Sequence, residues 1–338
     1  MVLTIKDIAK VCGVSVSTVS RVLNNHPDVS DANRKKVLAV VEQLHYVPNS
    51  SARDLVKAPS DAIGLVVQGV GNPFFTNVIY AIEDACSQAG YTLVLHQVQS
   101  GEDELVCAAQ LSRSKRLRGV IFLGGRFDYG PEDVAGLDIP FVCCTYTNRF
   151  GSLSPRLYSS VAIDDQKEAY NIVSMLTQRG HKKIGIILDK LADHSISHLR
   201  FDGYCQALKE SGIPLDRDLI EETLTFQMAG GYRAMTNLLS RRNDITAVFV
   251  ISDAMAVAAM KALHDHGKRI PEDCCVVAID GIEMSNYTFP TLTTLIQPQE
   301  KMGRKAVEIL VDILEGRGGH RHITVDTTIR EGGSIQTL

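Results

Sequence analysis

The stretch VSVSTVSRVLNN, residues 14–25, combines short polar side chains and one arginine with regularly spaced valines. Helical spacing gives this segment an apolar face made of Val16, Val19, Val22 and Leu23. Its opposite face consists of Ser17, Thr18, Ser20, Arg21 and Asn24. Hydroxyls can contact phosphates or base edges, and an arginine can bind guanine bidentately in the major groove. The pattern therefore favours a DNA-reading surface, with a three-helix cap that exposes a solvated polar face as the alternative.

Neighbouring helices must hold this segment in place. The preceding stretch TIKDIAKVCG has apolar residues at i, i+3, i+4 and i+7, which predicts a short helix. Gly13 can supply the positive φ that ends this helix, and Ser15 can cap the next one. A third helix is predicted from Asp31 to Leu44, with Val37, Leu38, Val41 and Leu44 facing inward. Two short helices joined by a turn that contains glycine form a helix-turn-helix.

Charge is distributed unevenly along the 338 residues. The net charge of −4 alone argues against a nucleic-acid partner. Residues 1–60, however, contain eight Lys and Arg against five Asp and Glu, which gives this segment +3 and leaves −7 for the remainder. A small basic head on an acidic body is typical of a protein whose head contacts phosphate.

Composition argues against several other classes of protein. No stretch approaches the ~20 apolar residues of a membrane helix, and the N-terminus has no apolar signal core. We therefore expect a cytoplasmic protein without a membrane partner.

The eight cysteines include no C-x-x-C, so neither a zinc site nor a disulfide framework is expected. The segment GVGNPF lacks the third glycine of a dinucleotide loop. No catalytic cluster is found, which indicates a protein that is not an enzyme and has no cofactor and no metal. A two-lobed α/β enzyme with a helical cap is the alternative.

The pattern changes after a linker that contains two Pro and three Ser within VPNSSARDLVKAPS. Apolar runs such as AIGLVVQ and GVIFLGG then alternate with helical segments, and the cycle restarts at KIGIIL. This alternation predicts two doubly wound parallel-sheet lobes with a cleft between them. The predicted domains are a head at 1–47, a hinge-helix linker at 48–60 and a body at 61–338, whose first lobe spans 61–162 and 293–321 and whose second spans 163–292 and 322–338.

The first 55 residues or so resemble the DNA-binding head of the lactose/galactose/purine repressor family (LacI/GalR), down to the YVPN before the linker. The body resembles that family through NPFF, RGHKKIG, GGYRAM, SDAMAVAAM and FPTLTT. The resemblance implies an N-terminal all-α helix-turn-helix head plus an α/β periplasmic-binding-protein-like body. It also implies a homodimeric transcription regulator that acts as a repressor. This regulator would bind a pseudo-palindromic DNA operator and respond to a small-molecule effector.

The resemblance assigns DNA contacts to individual residues. Val16 and Ser17 match the two positions that choose the operator, and Arg21 matches a further base-reading position. Leu55 matches a leucine that wedges into the minor groove, where a pair of such residues can unstack a base step and kink the DNA. Val56 departs from the pattern, because some members have a lysine there. The DNA-binding set implied in this way is Thr4, Val16, Ser17, Thr18, Ser20, Arg21, Asn24, Asn49, Ser51, Ala52, Arg53, Leu55, Val56 and Lys57.

The resemblance also assigns an effector cleft. Its implied set is Phe74, Phe75, Thr145, His194, Arg200, Phe226, Asp253 and Asp280. For a small polyol, an arginine can fork onto hydroxyls, carboxylates can accept from vicinal hydroxyls, and a phenylalanine can stack on the apolar face of the ring. Core packing is the alternative for the phenylalanines. Thr145 stands where nucleobase-binding members have an acidic residue, which favours a sugar effector. A nucleoside or purine effector and a protein co-regulator remain alternatives.

Overall fold

The computed structural model describes residues 5–23, 26, 28–43, 61–99, 102–191, 194–223 and 226–338. The chain divides into two compact units, Met1–Pro59 and Ser60–Leu338. The predicted linker at 48–60 lies outside the described residues. Among the described helices, none has both the length and the apolar character to cross a membrane.

The head contains three helices, α1 (Ile5–Cys12), α2 (Val16–Leu23) and α3 (Asp31–Gln43). Gly13 has φ of +58° between α1 and α2, as predicted. Ser15 Oγ accepts a hydrogen bond of 3.1 Å from the Thr18 amide, which confirms the predicted cap. The core of the head is formed by Ile8, Ala9, Cys12, Val19, Val22 and Val37.

Two residues predicted to face inward in the head are exposed. Val16 has an exposed fraction of 41% and Leu38 of 47%. Val16 is the first residue of α2, a full turn before the buried Val19. Leu38 is rotated about 100° around the helix axis from the buried Val37. The helices are short, so the contact between them covers a narrower face than the apolar pattern suggests.

The body begins with a strand and alternates strands with helices. Its first half contains β1 (Ala62–Gln68), α4 (Phe74–Gln88), β2 (Thr92–Val98), α5 (Glu104–Lys115), β3 (Gly119–Leu123), β4 (Phe141–Cys144), β5 (Ser159–Ala162) and α6 (Asp165–Gln178). The second half contains β6 (Ile184–Leu188), α7 (Ile196–Glu210), β7 (Ile220–Glu222), α8 (Met228–Arg241), β8 (Ala247–Val250), α9 (Asp253–Asp265), β9 (Cys275–Asp280), β10 (Thr293–Ile296), α10 (Gln299–Leu314), β11 (His322–Thr324) and β12 (Thr328–Arg330). Short 3₁₀ turns occupy Arg217–Leu219 and Glu283–Asn286.

These strands form two six-stranded sheets, one in each lobe. The first sheet has the order β11-β5-β4-β3-β1-β2, and every pair in it is parallel. The second has the order β12-β10-β9-β8-β6-β7, with only the edge strand β12 antiparallel. Both faces of β1 are buried: Ile63, Leu65 and Val67 join one apolar cluster, whereas Ala62 and Val66 join another. The predicted doubly wound two-lobed architecture is therefore correct.

The predicted lobe boundaries near the C-terminus need correction. β10 (Thr293–Ile296) pairs with β9 and β12 and so belongs to the second lobe, not the first. β11 (His322–Thr324) pairs with β5 and so belongs to the first lobe, not the second. The chain thus enters the first lobe again at α10, which packs on α4, and leaves it between β11 and β12.

Candidate functional site

The exposed face of α2 carries the predicted base-reading residues of the head. Val16, Ser17 and Arg21 are exposed, while Thr18 and Ser20 are half-buried. Ser15 Oγ lies 2.7 Å from Ser17 Oγ and 2.8 Å from Thr18 Oγ1, so the first turn presents a connected group of hydroxyls. The exposure of Val16 leaves its methyl groups available to a thymine methyl. The remaining predicted DNA contacts lie outside the described residues: Thr4, Asn24, Asn49, Ser51, Ala52, Arg53, Leu55, Val56 and Lys57.

A cavity of about 560 Å³ lies between the two lobes of the body. Its wall includes seven of the eight residues predicted for the effector cleft, namely Phe74, Phe75, Thr145, His194, Arg200, Phe226 and Asp280. The volume falls within the range of small-molecule sites, ~300–1,000 Å³. The sequence-based set thus comes together in one place, with the exception of Asp253.

Arg200, on α7, is a buried cation on the wall of this cavity. It is 2% exposed, and its Nε donates to Asp165 Oδ1 at 3.0 Å. Its Nη1 donates to the Ile251 carbonyl oxygen and lies 3.9 Å from Asp280 Oδ1. Burial raises the pKa of Asp165 to about 6, although the Arg200 charge opposes this shift. Arg200 therefore links α6, α7 and the ends of β8 and β9, and it is a structural residue as well as a candidate ligand contact.

Asp280, the last residue of β9, presents an unsatisfied acceptor. Gln297 Nε2 donates to its Oδ1 at 2.9 Å. Among the described residues, Asp280 Oδ2 has no hydrogen-bond partner, although the side chain is buried. Burial raises the pKa of Asp280 well above its ordinary value, and Arg200 opposes the shift. A buried acceptor without a partner is costly, so this atom is suited to a donor that a ligand brings.

The prediction that Asp253 lines the cleft is wrong. Asp253 lies at the start of α9 with its side chain fully buried, and its Oδ2 accepts hydrogen bonds from the amides of Gly281 and Ile282 at 3.0 Å each. Its Oδ1 accepts from Thr294 Oγ1. The preceding residue, Ser252, lines the cavity instead. Asp253 therefore holds the turn that follows Asp280, and its role toward a ligand is indirect.

The first lobe contributes two aromatic residues to the cavity wall. Phe74 and Phe75 open α4, with ring centroids 5.5 Å apart. Both belong to the apolar core, with exposed fractions of 3% and 9%, and both also line the cavity. Thr145, after β4, has φ of +78°, and Asp280 has φ of +146°. Positive φ is uncommon for residues other than glycine, and a β-branched threonine there is a genuine outlier. Such strain concentrates at functional sites, and here it occurs on opposite walls of one cavity.

Sequence reasoning missed several polar residues of the cavity wall, among them Asn72, Arg126, Asp128, Tyr146 and Gln297. Arg126 lies 3.0 Å from Asp128 and 3.3 Å from Asp133, so it is held by carboxylates of its own lobe. The one available signal was position, since residues directly after the buried strand β3 lie at the edge of the sheet where ligands bind.

His194 reaches across the mouth of the cavity. Its ring stacks on Phe150 of the first lobe, with centroids 4.8 Å apart and planes inclined by 21°. Its Nδ1 lies 3.8 Å from Asp128 Oδ2, also in the first lobe. The side chain is therefore a contact between the lobes as well as part of the wall.

The sequence models of two families match this chain. Residues 4–49 match the model described as bacterial regulatory proteins, lacI family, and residues 155–335 match the periplasmic binding protein-like domain. The chain is 39% identical to the HTH-type transcriptional regulator MalR of Clostridium butyricum, over 98% of this chain and 99% of that one. The chain belongs to the LacI family. It is therefore a DNA-binding transcriptional regulator and not an enzyme.

Solved structures of transcription regulators share the whole fold. The transcriptional regulator CelR in complex with cellobiose has a TM-score of 0.72 and 29% identity, covering 98% of this chain and 99% of that one. The lac repressor dimer bound to operator and an anti-inducer has a TM-score of 0.71 and 25% identity, covering 99% of each chain. The protein thus shares both its head and its two-lobed body with these regulators.

Proposed function

We propose that the protein is a cytoplasmic repressor whose affinity for DNA is controlled by a sugar bound between the two lobes of the body. The head, at 1–47, reads one half of a pseudo-palindromic operator through α2, and a hinge at 48–60 joins it to the effector-binding body, at 61–338. Two chains form a homodimer that covers both half-sites. The similarity to the lac repressor dimer on its operator supports this arrangement.

The observation that carries the sugar assignment is the combination of polar and apolar groups on opposite walls of the cavity. Arg200 and the free Oδ2 of Asp280 offer a buried donor and a buried acceptor from the second lobe. Phe74 and Phe75 supply apolar surface from the first lobe. A sugar needs hydrogen bonds for its hydroxyls and an apolar surface for its ring face, and the two walls together supply both. The cellobiose bound to CelR supports the same class of effector.

Position 145 carries a threonine instead of the acidic residue of nucleobase-binding members, which supports a sugar over a purine. Thr145 carries a hydroxyl that can donate or accept, which matches a polyol and gives no charge to a nucleobase. Regulators named PurR are also relatives, at 31% identity over 95% of this chain in Photobacterium profundum, so nucleobases belong in any test.

The deciding experiment is a thermal-shift screen of the full-length protein against mono- and disaccharides, including ribose and cellobiose, and against purine bases and nucleosides. A ligand that binds the native state raises Tm by mass action, by an amount that grows with its concentration. We expect a sugar to give this shift and to change operator affinity in a gel-shift assay. A shift with purines alone would overturn the sugar assignment. Calorimetry should then give one site per chain.

A further inference from the structure

A second cluster of ligand-competent side chains lies in the first lobe, away from the cavity wall. A ring nitrogen of His96, a carboxylate oxygen of Glu102 and the Sγ of Cys107 all lie within 4.8 Å of one another. Within the part of the chain that the structure describes, no other three donors of this kind come as close. None of the three lines the effector cavity.

A strand, a helix and local hydrogen bonds hold these donors in place. His96 lies on β2, the edge strand of the first sheet, where it pairs in register with Val66. The Glu102 carboxylate accepts a hydrogen bond of 2.8 Å from the Gln99 amide, and the Glu102 amide donates to the Gln99 carbonyl at 3.1 Å. Cys107 belongs to the first turn of α5, and its amide donates to the Asp103 carbonyl at 3.0 Å. The backbone at each donor is therefore fixed before any ligand arrives.

The chemistry of the donors selects the kind of ligand. An imidazole nitrogen, a thiolate and a carboxylate are the three ligand types that Zn²⁺ takes in proteins, whereas Mg²⁺ and Ca²⁺ prefer oxygen alone. Cys107 Sγ already lies 3.9 Å from Glu102 Oε2. A metal between them would replace the thiol proton, which is released to solvent on binding. Both ligands are accessible, because Glu102 is exposed and Cys107 is half-buried.

We propose that His96, Glu102 and Cys107 form a binding site for one divalent transition-metal ion of the zinc class, with a fourth position open to water. The site is independent of the effector cavity. This site was not predicted from the sequence, because the ligands are separated by five and four intervening residues and match no zinc motif.

Cobalt titration of the full-length, reduced and chelator-treated protein tests the site. Co²⁺ reports on a thiolate ligand through an ultraviolet sulfur-to-cobalt charge-transfer band. We expect this band to saturate at one equivalent per chain and to disappear when Zn²⁺ is added. Cys107→Ser should abolish it. Loss of an outer-shell partner weakens metal affinity by roughly 10–100-fold. His96→Gln removes a direct ligand and should weaken cobalt affinity by more than this.

Cys205→Ser is the matched control, because Cys205 is also half-buried but lies on α7 of the second lobe. This variant should keep the band and its midpoint. The proposal fails if the wild-type protein shows no saturable band, or if the band persists in Cys107→Ser. If Cys107→Ser does not fold, His96→Gln decides in its place, and wild-type cobalt affinity in that variant overturns the assignment.

Discussion

Replacing Asp280 by Asn tests whether the second lobe recognises the effector through one carboxylate oxygen. The two side chains have the same shape, so the 2.9 Å hydrogen bond from Gln297 to Oδ1 can persist. The free Oδ2, however, becomes an amide nitrogen, which donates and cannot accept. A hydroxyl of the effector that donates to this atom loses its acceptor, while the fold loses no hydrogen bond among the described residues.

The size of the effect follows from the type of bond. At a pH above the raised pKa of Asp280 the carboxylate is charged, and a hydrogen bond to a charged group contributes about 1.5–3 kcal/mol. At 1.36 kcal/mol for each factor of ten, Asp280→Asn should weaken effector binding by about 10- to 150-fold. The raised pKa of Asp280 adds a pH signature. If the carboxylate is the acceptor, wild-type affinity increases as pH rises through this pKa, and the variant lacks that increase.

Calorimetry over a series of pH values measures both effects, with the sugar identified by the thermal-shift screen. Asp273→Asn is the control, because Asp273 belongs to the same lobe and pairs with Arg269 away from the cavity wall. It should bind the effector like the wild type. Effector-free Asp280→Asn should bind operator normally. Unchanged effector affinity and pH dependence in Asp280→Asn would refute the role given to this carboxylate.

Other predictions address the head, the buried charges and the packing of the body. Arg21→Ala should weaken binding to operator, but not to random DNA, by about 1–3 kcal/mol in gel-shift titrations; equal losses on both would exclude base reading. Arg200→Ala should abolish the effector response and also lower the free energy of unfolding by about 3–5 kcal/mol in urea titrations, because it leaves Asp165 buried without its cation. Because burial raises the pKa of Asp165 to about 6, the free energy of unfolding should fall by about 3 kcal/mol as pH rises from ~4 to 6. Asp165→Asn should not show this fall. Gly203→Ala should lower the free energy of unfolding by about 1–3 kcal/mol, since its Cβ would lie 2.2 Å from a backbone oxygen of α6, whereas Gly319→Ala, which meets no atom within 4 Å, should not.

Features set by neighbours in sequence were predicted well. The positive φ at Gly13 and the Ser15 cap depend on a few adjacent residues, and both are present. The alternation of buried strands and helices likewise predicted two parallel sheets. In each case the physical cause acts over one turn or one strand, so the pattern is visible in the sequence.

Features set by distant parts of the chain were not predictable. β10 and β11 have four and three residues, too few for a pattern that reveals their sheet. Their placement in opposite lobes depends on partners more than 10 residues away, β9 and β5. The error at Asp253 has a related cause. Ser252 and Asp253 both follow β8, and only the turn into α9 decides which side chain faces the cavity.

The placement of polar and apolar groups on opposite walls of the cavity would allow a bound ligand to act as a switch. An effector changes a conformational equilibrium only through a difference in its affinity for the two states. Here the free acceptor on Asp280 belongs to the second lobe, and Phe74 and Phe75 belong to the first. The proposed sugar would therefore satisfy both walls only in one relative position of the lobes. A ligand that binds one wall alone would therefore bind without regulating. By thermodynamic linkage, operator DNA must change the affinity for the sugar by the same factor by which the sugar changes the affinity for DNA. Titrating the sugar with and without operator would measure that factor from both sides, and unequal factors would mean that a third component takes part.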